Sequence, residues 1–380
     1  MTVFAYNKVL AYIVCKGDLF YMSSRTKQKS GLGLFIKVLL ITTLILALIV
    51  AAGMLAWNII VRPPNIPLLA DWNWGNTPPN EGGEIIGEDG QIIDVGPAPD
   101  WATDDDRKPS FFTFLIMGLN EGTNVNTIMV ASYDYVNREA NLISIPRDSL
   151  INVNRNIRKL SSAYLVGSRG GRGRAGGVEQ VQREVSTVIG FVPDFFFVID
   201  YDAFFTIIDT IGGIEVYVPM RMRYTDPYQN LSIDIQPGLQ HMDAQTALHF
   251  ARFRQGDPGF PSPARGDYFR MESQQAIINA VIRELLRPSN LLRIPEFIDI
   301  FNASVYTDLP LGNMTWFAMQ LHNIRGTDAL STYTMPVTGT SGAPMWYELL
   351  DAPGVVELVN RTINPFTRDI TLNDVNIIRN

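Results

Sequence analysis

Cysteine and histidine are both scarce in this chain. The 380 residues contain one cysteine, Cys15, and three histidines, His241, His249 and His322. Everything after Cys15 can form no intramolecular disulfide, so its stability must come from packing. The histidines lack the spacing of a metal-ligand set, and we assign them structural roles. We therefore expect neither a disulfide scaffold nor a histidine-based metal centre.

Lysine is nearly absent from the larger part of the chain. Lys159 is the only lysine after Lys108, whereas 21 arginines follow residue 109. The bias fits phosphate binding, because a planar guanidinium binds phosphate oxygens in pairs, but genome composition explains it at least as well. The stretch Ser168–Gly177 lacks the Gly-Lys-Ser/Thr ending of a nucleotide P-loop. We interpret it as a mobile loop rather than a lid that grips phosphate.

The charged residues that are present are segregated. Formal net charge is −7, yet residues 1–37 carry six Lys or Arg against one acid, and residues 71–106 carry ten Asp or Glu and no Lys or Arg. Between these blocks, the apolar run Val38–Val61 is long enough to cross a bilayer core of about 30 Å. By the positive-inside rule, the basic leader 1–37 is cytoplasmic and everything after Arg62 lies outside. We therefore predict a single-pass cell-membrane protein; whether its natural start is Met1 or Met22 stays open.

The segment 62–109 reads as an acidic extracytoplasmic linker, because it is rich in Pro, Gly and acid. A short hairpin around Asp89-Gly90 is an alternative for part of it. From residue 110 to 380, short apolar runs alternate with helical spacing, which predicts one α/β/α sandwich with a central mixed sheet. We divide this domain into a core, 111–287, and a C-terminal completion, 288–380. With 46% hydrophobic residues, the chain can bury such a core.

The predicted elements of this domain follow from these patterns. Strands are predicted at 111–117, 127–133, 140–145, 195–199, 214–218 and 332–336, and helices at 178–189, 202–211, 243–250, 270–286, 290–302, 311–324 and 347–360. Asp243 is a candidate N-cap. We expect ordinary core packing for at least half of the phenylalanines that could instead line a lipid cleft, namely Phe195, Phe196, Phe197, Phe204 and Phe205.

Several arginines are expected at one edge of the sheet. The run Asn-Leu-Ile-Ser-Ile-Pro-Arg-Asp delivers Arg147 and Asp148 where a strand ends, which is where α/β proteins place their chemistry. Arg252 and Arg254 are expected on one face of an extended segment, and Arg270 with Gln274 at the start of a helix, where free amides favour anions. Convergent guanidinium groups indicate a phosphate or pyrophosphate ligand.

Six ordered segments resemble the LytR-CpsA-Psr family, also called the cell envelope-related transcriptional attenuator domain. They are Ile-Pro-Arg-Asp at 145–148, Lys-Leu-Ser-Ser-Ala-Tyr at 159–164, Ile-Gly-Gly-Ile-Glu-Val at 211–216, Gly-Leu-Gln at 238–240, and the stretches 245–254 and 270–275. The resemblance covers roughly residues 111–287. It implies an outward-facing, membrane-anchored protein that holds a polyprenyl-pyrophosphate lipid in an apolar cleft and transfers the linked glycopolymer to peptidoglycan.

The resemblance also implies roles for individual residues. Arg147, Arg252, Arg254 and Arg270 would clamp the pyrophosphate, with Gln274 and Lys159 beside them. Catalysis would rest on Arg147, Asp148, Arg252 and Arg254, with Asp148 orienting Arg147. The partners would be the lipid-linked glycopolymer, a cell-wall acceptor and the membrane, and no nucleic acid.

The chain departs from the family pattern at the positions expected to bind metal. The two aspartates that would hold Mg²⁺ are replaced by Asn120 and Asn126, and Ser273 stands where an arginine is common. Neutral amides are poor ligands for a hard divalent ion, so we expect no cofactor and doubt Mg²⁺ binding. Two functions stay open: a glycopolymer phosphotransferase, and a non-catalytic relative that binds a lipid-linked or wall glycopolymer.

Overall fold

A computed structural model describes residues 43–53, 84–86, 92–94, 106–120, 124–291, 293–320, 330–342 and 345–378. Residues 43–53 form a helix (α1), which belongs to a compact unit separate from that of residues 60–380. Within the described ranges, no helix has both the length and the apolar character to cross a membrane. The rest of the predicted span Val38–Val61 lies outside the described residues. Strands β1 (Glu84–Ile86) and β2 (Ile92–Asp94) pair as the antiparallel hairpin considered above.

A six-stranded mixed sheet forms the centre of the second unit, in the order β11-β6-β3-β4-β5-β12. Its middle strands are β3 (Phe111–Leu119), β4 (Val125–Asp134) and β5 (Glu139–Ser144), paired antiparallel. Strand β6 (Phe195–Ile199) is parallel to β3, and β12 (Leu330–Thr334) is parallel to β5. The short β11 (Tyr306–Thr307) completes the edge. The predicted α/β class and mixed sheet are confirmed.

Helices flank this sheet. Alternating side chains of β3, Leu115 and Met117, pack with α3 (Gly173–Ile189) and α10 (Ala352–Thr362) in one core cluster. Phe112 lies on the opposite face of β3 and packs in a second cluster with α8 (Ile294–Ser304) and α9 (Leu311–Gln320). A third cluster joins α4 (Tyr201–Thr210), α5 (Ala244–Arg252) and α6 (Gly266–Leu285).

Smaller elements complete the fold. Strand β7 (Ile214–Val218) pairs with β10 (Gly238–Met242), and β8 (Met222–Asp226) with β9 (Leu231–Ile235). Strand β13 (Val337–Ser341) pairs with β14 (Tyr347–Leu350). Two short helices remain, α2 (Ala163–Ser168) and α7 (Pro288–Leu291).

The structure corrects four of the local predictions. In the supposed mobile loop Ser168–Gly177, Ser168 ends α2 and Gly173–Gly177 form the start of α3, so only residues 169–172 form a turn. Arg252 ends a helix, so it shares no extended face with Arg254. Helix α6 begins at Gly266, one turn before Arg270. Arg270 therefore does not lie at the helix start, where the backbone amides are free. Residues 347–350 form β14 instead of opening the last helix.

Candidate functional site

A cavity of about 670 Å³ opens at the carboxyl edge of the central sheet. The chain reaches this edge where β3 ends at Leu119, where β6 ends at Ile199, and beyond β5 at Arg147. Because β3, β5 and β6 point the same way, their carboxyl ends meet there. The apolar part of the lining is supplied by Ile116, Leu119, Met129, Ile199, Phe204, Leu231, Leu248, Ile277 and Ile278.

The four predicted clamp arginines all line this cavity, together with Gln274, Asn120 and Asn126. A residue not foreseen from the sequence, Asp267, lies among them. Its carboxylate is 3.1 Å from Arg254 Nε, 3.0 Å from Arg270 Nη2 and 3.7 Å from Arg147 Nη2. One carboxylate thus faces three guanidinium groups. The other acid of the lining, Asp200, pairs with Arg174 at 3.0 Å and caps α4 through Ala203 N.

Arg270 is the most confined of these cations. Its side chain is 7% exposed, and its Nε has no hydrogen-bond partner in the described part of the chain. Burial, and then repulsion from Arg147, lowers the pKa of Arg270 to about 10. The guanidinium is still charged at neutral pH. A buried cation that lacks full compensation favours an anionic ligand.

Asn126 is held by two of the arginines. Arg147 Nη1 donates to Asn126 Oδ1 at 2.7 Å, and Arg270 Nη2 donates to the Asn126 carbonyl at 3.4 Å. A divalent cation at this amide would meet two guanidinium groups and no carboxylate from Asn120 or Asn126. Among the described residues, no group of three or more His, Cys, Asp or Glu could hold a metal ion. The residues present therefore do not fit the Mg²⁺ site that the family resemblance implies.

Arg252 is positioned differently from the other three arginines. Its Nη2 donates to Gln229 Oε1 at 3.0 Å, and its guanidinium lies 5.9 Å from the ring centroid of Tyr201. Gln274 Nε2 donates to the Ala251 carbonyl at 3.4 Å. Neither interaction neutralises the charge of Arg252, so the arginine remains available to an anion in the cavity.

Asp148 and Lys159 lie beside the cavity rather than in its lining. Lys159 Nζ is 3.0 Å from Asp148 Oδ1, and Asp148 Oδ2 is 3.9 Å from Arg147 Nε. Asp148 therefore lies at ion-pair distance from Arg147 without a hydrogen bond to its Nε in the described part of the chain, and it is engaged by Lys159. That Asp148 orients Arg147 stays a prediction. Of the five phenylalanines that could have lined a lipid cleft, only Phe204 lines this cavity.

Asp267 and Gln229 are the main residues that sequence reasoning missed. Asp267 lies three residues before Arg270, at the spacing of an ion pair within a helix. The helix was predicted to begin at Arg270, so this pair went unnoticed. Gln229 lies in a turn between β8 and β9, for which no signal was available.

Comparison with known proteins identifies the class to which this chain belongs. The LytR_cpsA_psr family model matches residues 98–363, so the chain belongs to this family. The match extends beyond the range 111–287 over which the six motifs were recognised. It includes the C-terminal elements as far as α10.

Among the curated relatives, MsrR of Staphylococcus aureus is 23% identical over 232 residues, covering 59% of this chain and 64% of MsrR. TagV of Bacillus subtilis, a polyisoprenyl-teichoic acid–peptidoglycan teichoic acid transferase, is 27% identical over 215 residues, 54% of this chain and 51% of TagV. The chain thus spans between half and two thirds of the length of these relatives.

Solved structures show the same fold. The crystal structure of B. subtilis TagV matches with a TM-score of 0.55 at 21% identity, covering 67% of this chain and 96% of that one. TagT bound to LI-WTA matches with a TM-score of 0.50 at 17% identity, covering 67% and 89%. At these identities the likeness establishes the fold alone.

Proposed function

We propose that this protein is a membrane-anchored, extracytoplasmic phosphotransferase that moves a polyprenyl-pyrophosphate-linked glycopolymer onto a cell-wall acceptor. The observation that carries the proposal is the buried Arg270 beside Arg147, with Asp267 as the carboxylate shared by the cluster. Four arginines against two acids leave the lining positively charged. A pyrophosphate carries two or more negative charges and offers oxygens to several guanidinium groups at once.

The shape and composition of the cavity support a lipid donor. The cavity that the arginines line is also lined by many apolar residues, which come from the sheet and from α4, α5 and α6. A ligand with a charged centre and an apolar tail matches both parts. The transferase activity of TagV and the LI-WTA bound to TagT support the same substrate class. Membrane attachment through Val38–Val61 would place this cavity near lipid-linked donors.

In this proposal the arginines stabilise charge. During transfer, negative charge develops on the oxygen that leaves with the lipid phosphate, and preorganised guanidinium groups offset it. Arg147 and Arg270 are fixed by Asn126 and Asp267, and Asp148 orients Arg147. These contacts hold the donors in place before the substrate arrives.

A second candidate is a binding protein without turnover. It is favoured by Asn120 and Asn126, since the metal expected from the family resemblance would find no negative charge on either side chain. Pyrophosphate binding through the arginines is common to both candidates. Tight binding of a lipid-linked donor without any turnover would favour the binding protein over the phosphotransferase.

Donor binding tests the arginine cluster directly. The full chain in detergent would be titrated with a short-chain prenyl-pyrophosphate glycan. Arg147→Ala, Arg252→Ala and Arg270→Met should each weaken binding at least tenfold, because each loses a charge-assisted hydrogen bond of about 1.5–3 kcal/mol. Arg270→Met keeps the buried volume, which separates lost binding from lost folding.

Arg221→Ala is the matched control, since Arg221 pairs with Asp234 on β9 and does not line the cavity. It should leave the dissociation constant within twofold of that of the wild type. Unchanged donor affinity in all three site variants would contradict the pyrophosphate clamp and, with it, the proposed function.

A further inference from the structure

The side chain of Gln229 connects Arg252 to a carboxylate outside the cavity. Gln229 Oε1 accepts a hydrogen bond from Arg252 Nη2 at 3.0 Å, and Gln229 Nε2 donates to Asp226 Oδ2 at 2.6 Å. Gln229 lines the cavity, whereas Asp226 does not. A guanidinium can only donate and a carboxylate can only accept, so one orientation of the amide serves both partners.

Asp226 also holds the backbone at Gln229. The short turn Pro227–Gln229 joins β8 to β9, and Asp226 Oδ1 accepts from Tyr228 N at 3.0 Å and from Gln229 N at 3.3 Å. The Tyr224 hydroxyl donates to Asp226 Oδ2 at 3.5 Å. One carboxylate thus fixes both the backbone and the side chain of Gln229, and the amide is in place before any ligand binds.

The hairpin β8–β9 is fastened to a second segment of the cavity wall. Asp257 N donates to the Arg223 carbonyl at 2.8 Å, and Asp257 Oδ1 accepts from Thr225 N at 2.9 Å. The loop that contains Asp257 also supplies cavity-lining residues, namely Gln255, Ser262 and Pro263. These contacts fix the turn that carries Gln229 relative to the cavity.

Arg252 is held by neutral groups. The Gln229 amide accepts one of its hydrogen bonds, and the Tyr201 ring lies 5.9 Å from its guanidinium. The other three arginines of the cavity share the carboxylate of Asp267. A carboxylate beside a guanidinium cancels much of its charge, whereas an amide oxygen orients the guanidinium and leaves the charge available.

We propose that Gln229 is a positioning residue for Arg252, and that its neutral amide fixes this arginine at the cavity without cancelling the charge that binds a pyrophosphate. The inference rests on the proposed function. Without the amide, the guanidinium would move among rotamers, and ligand binding would have to order it. A carboxylate in place of the amide would hold the guanidinium but compete with the ligand for it.

Binding of inorganic pyrophosphate to the full chain, without added metal, tests this role, and the prenyl-pyrophosphate glycan is titrated in parallel. Gln229→Ala should weaken pyrophosphate binding about three- to tenfold, because binding must then order the guanidinium. Gln229→Glu should weaken it by more than about tenfold, because the new carboxylate pairs with Arg252. A purely structural role predicts the reverse order, since glutamate has the shape of glutamine and alanine does not.

Low pH should rescue Gln229→Glu. A protonated carboxyl is neutral, accepts from Arg252 with one oxygen and donates to Asp226 with the other, as the amide does. The dissociation constant of Gln229→Glu, divided by that of the wild type at the same pH, should fall from more than about ten at about pH 7.5 to about two at about pH 4.3, where half of an ordinary glutamate is protonated. The ratio cancels the protonation of pyrophosphate itself.

Gln236 is the matched control. Its Nε2 donates to Asp234 Oδ1 at 3.4 Å, as Gln229 donates to Asp226, but it does not line the cavity. Gln236→Glu should leave the dissociation constant within about twofold of that of the wild type at each pH. In the Arg252→Ala background, adding Gln229→Ala should weaken binding by less than about twofold more, because Gln229 acts through Arg252.

The outcomes separate this inference from the proposed function. Wild-type affinity in both Gln229 variants would overturn the positioning role alone. Weaker binding in Gln229→Ala than in Gln229→Glu, or no recovery of Gln229→Glu at low pH, would overturn it as well. If inorganic pyrophosphate binds with the expected pattern but the prenyl donor does not bind the wild type, the proposed function fails and the role of Gln229 stands. A wild type that binds neither would overturn both.

Discussion

At the scale of single residues, Arg270 illustrates how the candidate site holds an unfavourable charge. Burying a guanidinium costs free energy, and Arg147 adds repulsion. Asp267 offsets only part of this cost, because it also faces Arg147 and Arg254. An anion in the cavity would relieve the remainder. The fold supplies this arrangement through α6 and the turn after β5.

Metal binding is the first prediction at this scale. The unmodified protein should bind Mg²⁺ weakly or not at all, because Asn120 and Asn126 are neutral and Arg147 occupies Asn126 Oδ1. The double variant Asn120→Asp with Asn126→Asp should bind Mg²⁺ at least tenfold more tightly and raise Mg²⁺-dependent pyrophosphate cleavage. Calorimetric titration and a cleavage assay measure the two effects.

Asn302→Asp, at an exposed position of α8, controls for the added charge and should change neither quantity. If a chelator abolishes strong activity of the unmodified protein, other residues hold the ion. That result would contradict both the metal prediction and the second candidate, a binding protein without turnover.

The sequence predicted the arginines of the site better than their partners. Arg147 was found because a short strand ends just before it, and the others followed from similar local patterns. Asp267 was missed, since its position among the arginines depends on a tertiary contact between α6 and the turn after β5. Local patterns do not contain such contacts. Lys159 was grouped with the clamp by resemblance, yet it pairs with Asp148.

At the scale of elements, the contact between α2 and α3 depends on small residues. A Cβ added to Gly167 would lie 2.2 Å from the carbonyl oxygen of Gly176, and one added to Gly177 would lie 2.9 Å from the Tyr164 ring. The backbone of one helix thus sits directly on the other. These glycines lie inside helices and allow the two helices to approach each other closely. Because the segment is rich in glycine, a loop was predicted where α3 begins.

Gly167→Ala should therefore destabilise the fold by about 1–3 kcal/mol or more, because the obstructing atom belongs to the backbone and has little freedom to move. Helix propensity alone predicts the opposite sign, by about 1 kcal/mol. Gly339→Ala on β13 is the control, since an added Cβ there meets nothing within 4 Å. Urea denaturation of both variants gives the difference in unfolding free energy. A stabilised Gly167→Ala variant would refute the close contact.

Element boundaries were least predictable where tertiary contacts set them. Helix α6 begins at Gly266, and a Cβ at this position would lie 2.2 Å from the Arg254 carbonyl oxygen. Its periodic apolar pattern becomes clear only later, so the predicted start came one turn too late. By contrast, β6 and β7 were predicted at their observed limits, because each is a short run bounded by turn residues.

At the scale of the whole molecule, the two ends of the described domain meet. Thr367 N donates to the Asp106 carbonyl at 2.7 Å, and Lys108 N donates to the Pro365 carbonyl at 2.9 Å. Strand β12 and helix α10, both from the C-terminal part, pack onto the sheet and the core begun by β3. Sequence patterns indicated the class of this fold, but strand order depends on pairings between residues nearly 200 positions apart, such as Ala140 with Leu330.

The last prediction concerns how the whole chain is oriented at a membrane. Six basic residues precede the apolar run Val38–Val61 and ten acids follow within 71–106, which favours a cytoplasmic N-terminus and an external domain. A protease added to intact protoplasts should therefore remove the domain and leave a short membrane-bound fragment that contains the leader. A cytoplasmic marker protein, measured in the same samples, controls for leakage. A domain that stays protected until detergent opens the membrane would contradict the orientation. A domain that is found in the soluble fraction without protease treatment would contradict the anchor itself.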